Sequence, residues 1–325
     1  MSNINNNKKK QLNTKIFTVL VNFNGHEDTI ECLSSLCQLD YKNNQIFVVD
    51  NSSSSDSIQK IINWTIKQQH NYSFISEDDF LYNEVKSSIV LIKSNSNKGF
   101  AAANNIVLKY FLKFANKTDY CWILNNDTVV NKDIIHHFLK YFQSEKKENL
   151  GILGATLVYY DNPKIIQGLG GSFNEFLLIS KHVLEGKSLE SVANKHYKID
   201  YVIGASMFIS YSFLNTVGLM NEVFFLYFEE LDWAKRAKNK GFAIDYCETA
   251  LVFHKEGKSI GSSYQASKKS FFSEIMLFKS RKKFIELHYN KGFRFYFSSV
   301  LLIFSKLIKG KFKLSYSLIK ITFAS

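Results

Sequence analysis

The chain has 325 residues, 46% of them hydrophobic, which is enough for a large core and excludes a disordered chain. Its formal net charge is +12, and its one Pro excludes Pro-rich linkers. A positive excess of this size calls for an anionic partner: nucleic acid, a phosphorylated ligand or an acidic lipid surface.

Residues 1–13, "MSNINNNKKKQLN", form a polar leader with no apolar stretch of the kind a secretory signal needs. "KIFTVLVNFN" is then a β-branched apolar run that closes on Asn22 and Asn24. "DTIECLSSLCQL" has helical spacing, with Ile30, Leu33, Leu36 and Cys37 on one face. "QIFVVDNSSSSDS" predicts a second buried strand, broken by polar residues before the helix "SIQKIINWTIKQ". Residues 66–87 are partly acidic and polar and read as an insertion. "SSIVLIKS" is a third strand, and "NKGFAAANNIVLKYFLKFA" opens at Gly99 and continues as a helix. "DYCWILNND" is a fourth strand and "NKDIIHHFLKYFQSE" another helix. Continuous apolar strands alternating with amphipathic helices predict an α/β fold with a mainly parallel central sheet and helices on both faces.

Beyond residue 150 the pattern turns β-rich, with "LGILGATLVYY", "YVIGASMFIS" and, after a helix starting near Glu229, the strand "FAIDYCETALVFH". From about residue 265 the chain reads as a helical, basic tail. No acidic residue follows Glu286, whereas Lys291, Arg294, Lys306, Lys309, Lys311, Lys313 and Lys320 do. Val300, Leu301, Phe304, Leu307 and Ile308 share one apolar face, and "FYFSSVLLIF" is too short to span a bilayer. The tail fits a helix lying on an anionic membrane surface, and equally one packed on the domain or on another subunit. The four cysteines have no CxxC spacing and read as reduced thiols of a cytosolic protein.

Ligands of open α/β sheets sit beyond the carboxyl ends of the strands. Four such ends here carry polar residues: Asn22 with Asn24, Asp50 with Asn51, Asn97 with Lys98 and Gly99, and Asn125 to Asp127. Each alone is an ordinary turn, but four converging on one edge describe a site. The small residues of "NKGFAAANN" permit close backbone approach, and the helix start offers amides to a phosphate. In "FFLYFEELDWAKRAKNKGF", Asp232 and Arg236 are spaced as a helical ion pair, and Glu229 and Glu230 favour the helix dipole. A carboxylate beside these aromatic walls also has the environment of a general base. His254 ends a strand; with Asp127 and diphosphate oxygens it would suit Mn²⁺ or Mg²⁺.

In this order, "VNFNGHEDTIECLSSL", "VVDNSSSSDS", "NSNKGFAAANN", "ILNNDTVV", "VIGASMFIS", "VGLMNEVFFLYFEELDW" and "ALVFHKEGKSIG" resemble a family 2 glycosyltransferase of GT-A fold, and their details resemble its rhamnosyltransferase-like branch. The resemblance implies a GT-A domain over 14–262, with a nucleotide-binding half 14–130 and an acceptor half 131–262, followed by a helical region 263–325. It implies that Asn24 and Asp50 contact the nucleoside, and that Asn97, Lys98 and Gly99 line the diphosphate pocket. Asn125, Asn126 and Asp127 occupy the family's DxD position, so the first acid is replaced by a neutral amide. Glu230 matches the general base, Glu229, Asp232 and Arg236 its supporting residues, and Asp127 and His254 the metal ligands.

The implied activity is inverting, metal-dependent transfer from a UDP- or dTDP-sugar, rhamnose included, to a hydroxyl of a glycan or lipid-linked acceptor. The implied setting is cell-surface polysaccharide assembly, in the cytoplasm or peripherally at the inner face of the membrane; an oligomer is compatible with it. A nucleotidyltransferase would need a glycine- and cation-rich loop after the first strand, which "NFNGHEDT" lacks. A non-catalytic nucleotide- or lipid-binding module would leave Glu230 and His254 without a task. No aromatic–basic motif points to nucleic acid.

Overall fold

The structure, a computed structural model, describes residues 14–144, 149–192, 195–255 and 270–323. The leader 1–13 and the expected boundary at 262/263 lie outside the described residues.

Five strands form a parallel half-sheet: β1 (Ile16–Asn22), β2 (Asn44–Asp50), β3 (Tyr72–Ser76), β4 (Ile89–Lys93) and β5 (Tyr120–Leu124), in the order β3-β4-β2-β1-β5. The sheet continues beyond β5 with β11 (Ser206–Ser210), which runs antiparallel to β5 and to β7 (Leu150–Tyr159). β12 (Ala243–His254) lies parallel to β7, and the short β6 (Thr128–Val130) closes the far edge antiparallel to β12. β8 (Asn162–Gly168) pairs antiparallel with β7, and β9 (Gly171–Asn174) and β10 (Ile179–His182) form a separate hairpin.

Side chains alternate across a strand, so the apolar runs supply both faces of the sheet at once. Ile16, Leu20, Ile46 and Val48 pack under α1 (His26–Cys37), α2 (Ser55–Lys67) and α5 (Ile134–Gln143). Phe17, Val19, Phe47 and Val49 pack under α4 (Phe100–Phe114), with α6 (Tyr211–Val217) and α7 (Glu229–Asn239) covering the rest of that face. Each of these side chains, fully buried, contributes about 1.5–3 kcal/mol.

Residues 66–87 are not an insertion. Tyr72–Ser76 is the edge strand β3, paired parallel with β4, and the short α3 (Glu77–Phe80) follows it. Phe80 is fully buried, edge-on to Phe47 and stacked 4.5 Å from Tyr110. An edge strand pairs on one side only and stays half exposed, so it lacks the continuous apolar run of its neighbours.

Gly99 begins α4 with φ +94°, a backbone conformation that side chains disfavour. A Cβ there would lie 2.2 Å from the carbonyl oxygen of Phe225, and the Phe100 amide donates to that same oxygen at 2.8 Å. The first α4 amide, expected to face a phosphate, is therefore taken by the chain segment that leads into α7. Tyr227 (φ +69°) and Phe228 (φ +70°) follow in left-handed conformations. Each costs on the order of 1 kcal/mol, and together they turn the chain so that α7 starts on Glu229.

α7 is tied down by Asp232, which is buried. Its carboxylate accepts from His288 Nε2 at 2.7 Å and from Arg236 Nε at 2.7 Å, while Arg236 also donates to the carbonyls of Val217 and Leu219. Burial works against the charge of Asp232, but the bonds from His288 and Arg236 outweigh it and hold the carboxyl below its ordinary value. His288 ends α8 (Phe271–His288), whose Phe284 packs on Phe173 and Phe228. α9 (Phe293–Ile308) and α10 (Phe312–Phe323) complete the helical tail expected from the sequence, with Phe278, Ile303, Leu314 and Leu318 as its small core.

Gly99→Ala is expected to lose at least about 2 kcal/mol of unfolding free energy in urea, because the clash is with backbone and the conformation is strained. For Asp232→Asn, equilibrium unfolding at neutral pH is expected to show a loss of about 3 kcal/mol. A carboxyl with a depressed folded pKa stabilises above its unfolded value of about 4 and loses that contribution as pH falls through the folded value. The variant's stability should accordingly decline less than the wild type's on acidification below about pH 4.

Candidate active site

A cavity of about 1040 Å³ opens at the carboxyl ends of the parallel strands. Its strand-end lining includes Asn51, Asn97, Gly99, Asn125, Asn126, Asp127 and His254, and Glu229 and Glu230 from the start of α7 line the same cavity. Two sequence motifs more than a hundred residues apart thus meet at one space.

Three side chains organise the strand-end wall. Asn97 Oδ1 accepts from Asn51 Nδ2 at 2.9 Å and from the Gly99 amide at 3.0 Å, which locks the β4–α4 turn against the end of β2. Asn126 turns back to α1, donating to Thr29 Oγ1 at 2.8 Å. Asp127 is buried, with Oδ1 3.1 Å from His254 Nε2, and Asn125 Nδ2 stands 3.4 Å from the same nitrogen.

Gln167 on β8 completes this group, and sequence reasoning missed it. Its Oε1 lies 2.7 Å from His254 Nδ1, and the side chain is buried in the cavity wall. The only sequence signal is one amide within the apolar run "IIQGLGG". With Nδ1–H given to Gln167, Nε2 presents its lone pair toward a carboxylate oxygen. A carboxylate oxygen facing that lone pair needs a positive species between them, either a second proton on the imidazole, as in an ion pair, or a metal ion. Two oxygen or nitrogen donors on neighbouring corners of an octahedral ion, each about 2.1 Å from it, lie about 3 Å apart. The Asp127–His254 pair therefore fits a Mn²⁺ or Mg²⁺ ion, with both protein donors in place. Among the described residues no group of three or more His, Cys, Asp and Glu has metal-binding geometry, so the remaining donors would come from ligand or water.

At the start of α7 Glu229 is buried, and its Oε2 has no hydrogen-bond partner. Burial, reinforced by the neighbouring charge of Glu230, raises its pKa well above the ordinary carboxyl range. Glu230 is half-buried beside Tyr201, whose phenol is shifted up by burial first and by the Glu230 charge second. Tyr201 is a further wall residue that its sequence context, "KIDYVIG", does not advertise.

Several residues expected here stand elsewhere. Asp50 is buried behind the cavity, accepting from Asn22 Nδ2 at 2.6 Å and from the Ser53 amide at 3.2 Å. Asn24 takes φ +56° and accepts from the Ser54 amide, bracing the loop after β1. Lys98 is exposed and off the cavity wall. Asp232 and Arg236 are spent on holding α7.

Comparison with known proteins agrees with this geometry. Residues 18–215 match the model of Glycosyl transferase family 2. The low-salt glycan biosynthesis hexosyltransferase Agl10 of Haloferax volcanii is 26% identical over 247 residues, which cover 73% of this chain and 66%, just under two thirds, of that relative. Among solved structures, S. aureus TarS 1–349 in complex with UDP-GlcNAc superposes with a TM-score of 0.50 at 13% identity, covering 84% of this chain and 73% of that one. The longer S. aureus TarS structure gives 0.50 at 12% identity, covering 84% and 44%. At these identities the likeness is one of fold, and it is a GT-A-like one. With more than half of its length matched by the family model and its strand-end cavity where that fold places a ligand, the chain belongs to glycosyl transferase family 2.

Proposed function

We propose that the protein is an inverting glycosyltransferase that moves a hexose from a UDP- or dTDP-sugar to a hydroxyl of a glycan or lipid-linked acceptor. The observation that carries this reading is the single cavity lined both by Asp127 and His254 and by Glu229 and Glu230. Its volume, at the upper end for ligand sites, leaves room for a donor and an acceptor together. The archaeal relative's name, a hexosyltransferase of glycan biosynthesis, agrees with a hexose donor and a glycan acceptor.

In this reading the nucleotide lies along Asn51, Asn97 and Gly99, with its diphosphate toward Asp127 and His254. A divalent ion bound there would offset the charge that develops on the leaving diphosphate. Glu230 accepts the proton of the acceptor hydroxyl as its oxygen bonds to the anomeric carbon. The bond from that carbon to the diphosphate oxygen breaks, and its electron pair leaves with the nucleoside diphosphate. Attack from the face opposite the leaving group inverts the centre. Glu229, whose proton affinity is raised by burial and by the neighbouring Glu230 charge, stands beside the base as the second carboxyl of the pair.

Incubation with UDP- and dTDP-sugars and a glycan acceptor should release nucleoside diphosphate; release of pyrophosphate instead would show a nucleotidyltransferase. Glu230→Gln is expected to lower turnover by about 10²–10⁴-fold while retaining nucleotide-sugar binding in calorimetry. Asp127→Ala should lose the metal-dependent part of that binding as well. Near-normal transfer by Glu230→Gln would remove the base assignment. Gln167→Leu, which leaves both metal donors in place, should weaken Mn²⁺ binding by about 10–100-fold in a calorimetric titration with nucleoside diphosphate present.

A further inference from the structure

α9 and α10 carry large apolar side chains on their outward faces as well as on their packed ones. On α9, Phe293, Phe297, Val300, Leu301, Phe304 and Ile308 fall on one helical stripe, and all are exposed, Phe304 by 60% and Ile308 by 72%. The buried face carries Phe295 and Ile303 together with Ser298 and Ser299, and the two serines accept from the guanidinium of Arg281 on α8. On α10, Phe312, Tyr316, Ile319 and Phe323 repeat the pattern, and all four are exposed. Tyr296 and Phe323 stack 5.8 Å apart and join the two stripes. A helix packed on a domain in water normally keeps its outer face polar, and an apolar surface this extended marks an interaction site.

The charge on this surface narrows the partner. Lys309, Lys313, Lys320 and Arg294 are exposed around the stripes, and no acidic residue occurs after Glu286. Lys320 lies 4.5 Å from the Tyr316 ring centroid, Lys313 5.5 Å from that of Phe271, and Arg294 5.5 Å from that of Phe176. Cations beside aromatic rings match the boundary between lipid phosphates and acyl chains. A second copy would bring the same positive charges face to face, which disfavours self-pairing. No helix among the described residues is long and apolar enough to cross a membrane.

We propose that the α9–α10 face seats on an anionic bilayer surface, with its apolar stripes at the acyl boundary and its cations on lipid phosphates. α8, on which α9 packs through Arg281, reaches the cavity. Arg281 Nε donates to the Leu178 carbonyl at 2.8 Å, in the turn of the β9–β10 hairpin, and Ser180, Lys181 and His182 of that hairpin line the cavity. Phe272, in the first turn of α8, lines it too, edge-on to Phe225 at 6.3 Å. A seated surface would hold the cavity mouth close to lipid headgroups; the value of this for a lipid-linked acceptor rests on the glycosyltransferase reading, whereas the seating itself does not.

The test is flotation of the full chain with vesicles of phosphatidylcholine alone and of phosphatidylcholine with about one third phosphatidylglycerol. The wild type should float with the anionic vesicles, less so at high salt, and remain behind with the neutral ones. The triple variant Leu301→Ser, Phe304→Ser, Ile308→Ser and the triple variant Lys309→Glu, Lys313→Glu, Lys320→Glu should each reduce the vesicle-bound fraction by at least about tenfold, with thermal melting unchanged. Failure of the wild type to float, or equal flotation of both variants, would overturn the proposal. So would a wild-type dimer in light scattering that the apolar variant dissolves while vesicles capture neither. Nucleoside diphosphate release without vesicles reads the chemistry separately: a chain that floats but turns over no nucleotide-sugar keeps the surface and loses the transferase.

Discussion

The Phe225 carbonyl occupies the place where residue 99 would carry a side chain, and both residues line the cavity. That contact joins the turn after β4, with its Asn51–Asn97 bracing, to the segment that delivers Glu229 and Glu230. The two belong to separate parts of the chain, one made by strands laid down early and the other by a helix formed more than a hundred residues later. The left-handed Tyr227 and Phe228 are the local cost of this corner, and the ties from Asp232 to His288 and Arg236 offset it. Strain next to the carboxylates and strong bonds one turn further on form one arrangement, because a helix start aimed into a cavity must be braced from behind.

What the sequence made legible follows from which physical signals are local. The parallel half-sheet was readable because strands buried on both faces, such as "IFTVLV" and "QIFVVD", are continuously apolar. The cavity-lining residues Asn97, Asn125 and Asp127 were readable as strand ends because polar residues must stop such runs, and Glu230 is proposed as the base on the family resemblance. β3 was not legible, because an edge strand has one partner and a half-wet face. Gln167 was not legible either, since its meaning lies in a contact with His254, 87 residues away. Asp50 and Lys98 show the opposite error: both are polar residues at strand ends, yet one is spent on Asn22 and Ser53 and the other faces solvent. Residue type marked the right edge of the sheet but not which side chains turn into the cavity.

The C-terminal helices show a second limit of pattern reading. Periodicity reveals that α9 has an apolar stripe, and the ordinary rule would turn that stripe inward. Here that stripe faces out. A guanidinium that is 4% exposed needs acceptors, and Ser298, Ser299 and the Leu178 carbonyl supply them from the inner side. Burial lowers the Arg281 pKa to about 10, which still leaves it charged at neutral pH. The buried cation thus holds Ser298 and Ser299 inward, beside the apolar Phe295 and Ile303.

The same accounting of charge explains how a site with few ligands suits an anionic donor. Replacing the first acid of the DxD position by Asn125 removes one negative charge beside the diphosphate. Desolvation, with the neighbouring Glu230 charge, also raises the proton affinity of Glu229. Asp127 faces the His254 imidazole, with Glu230 lining the same cavity. In the proposed reading this limits the repulsion that a diphosphate would meet from the site's own carboxylates. A single protein carboxylate also holds a divalent ion less firmly than two, so ion and diphosphate would complete one another's coordination. In the proposed reading the neutral amide of Asn125 and the raised proton affinity of Glu229 act in one direction: each lowers the negative charge that a diphosphate donor would meet.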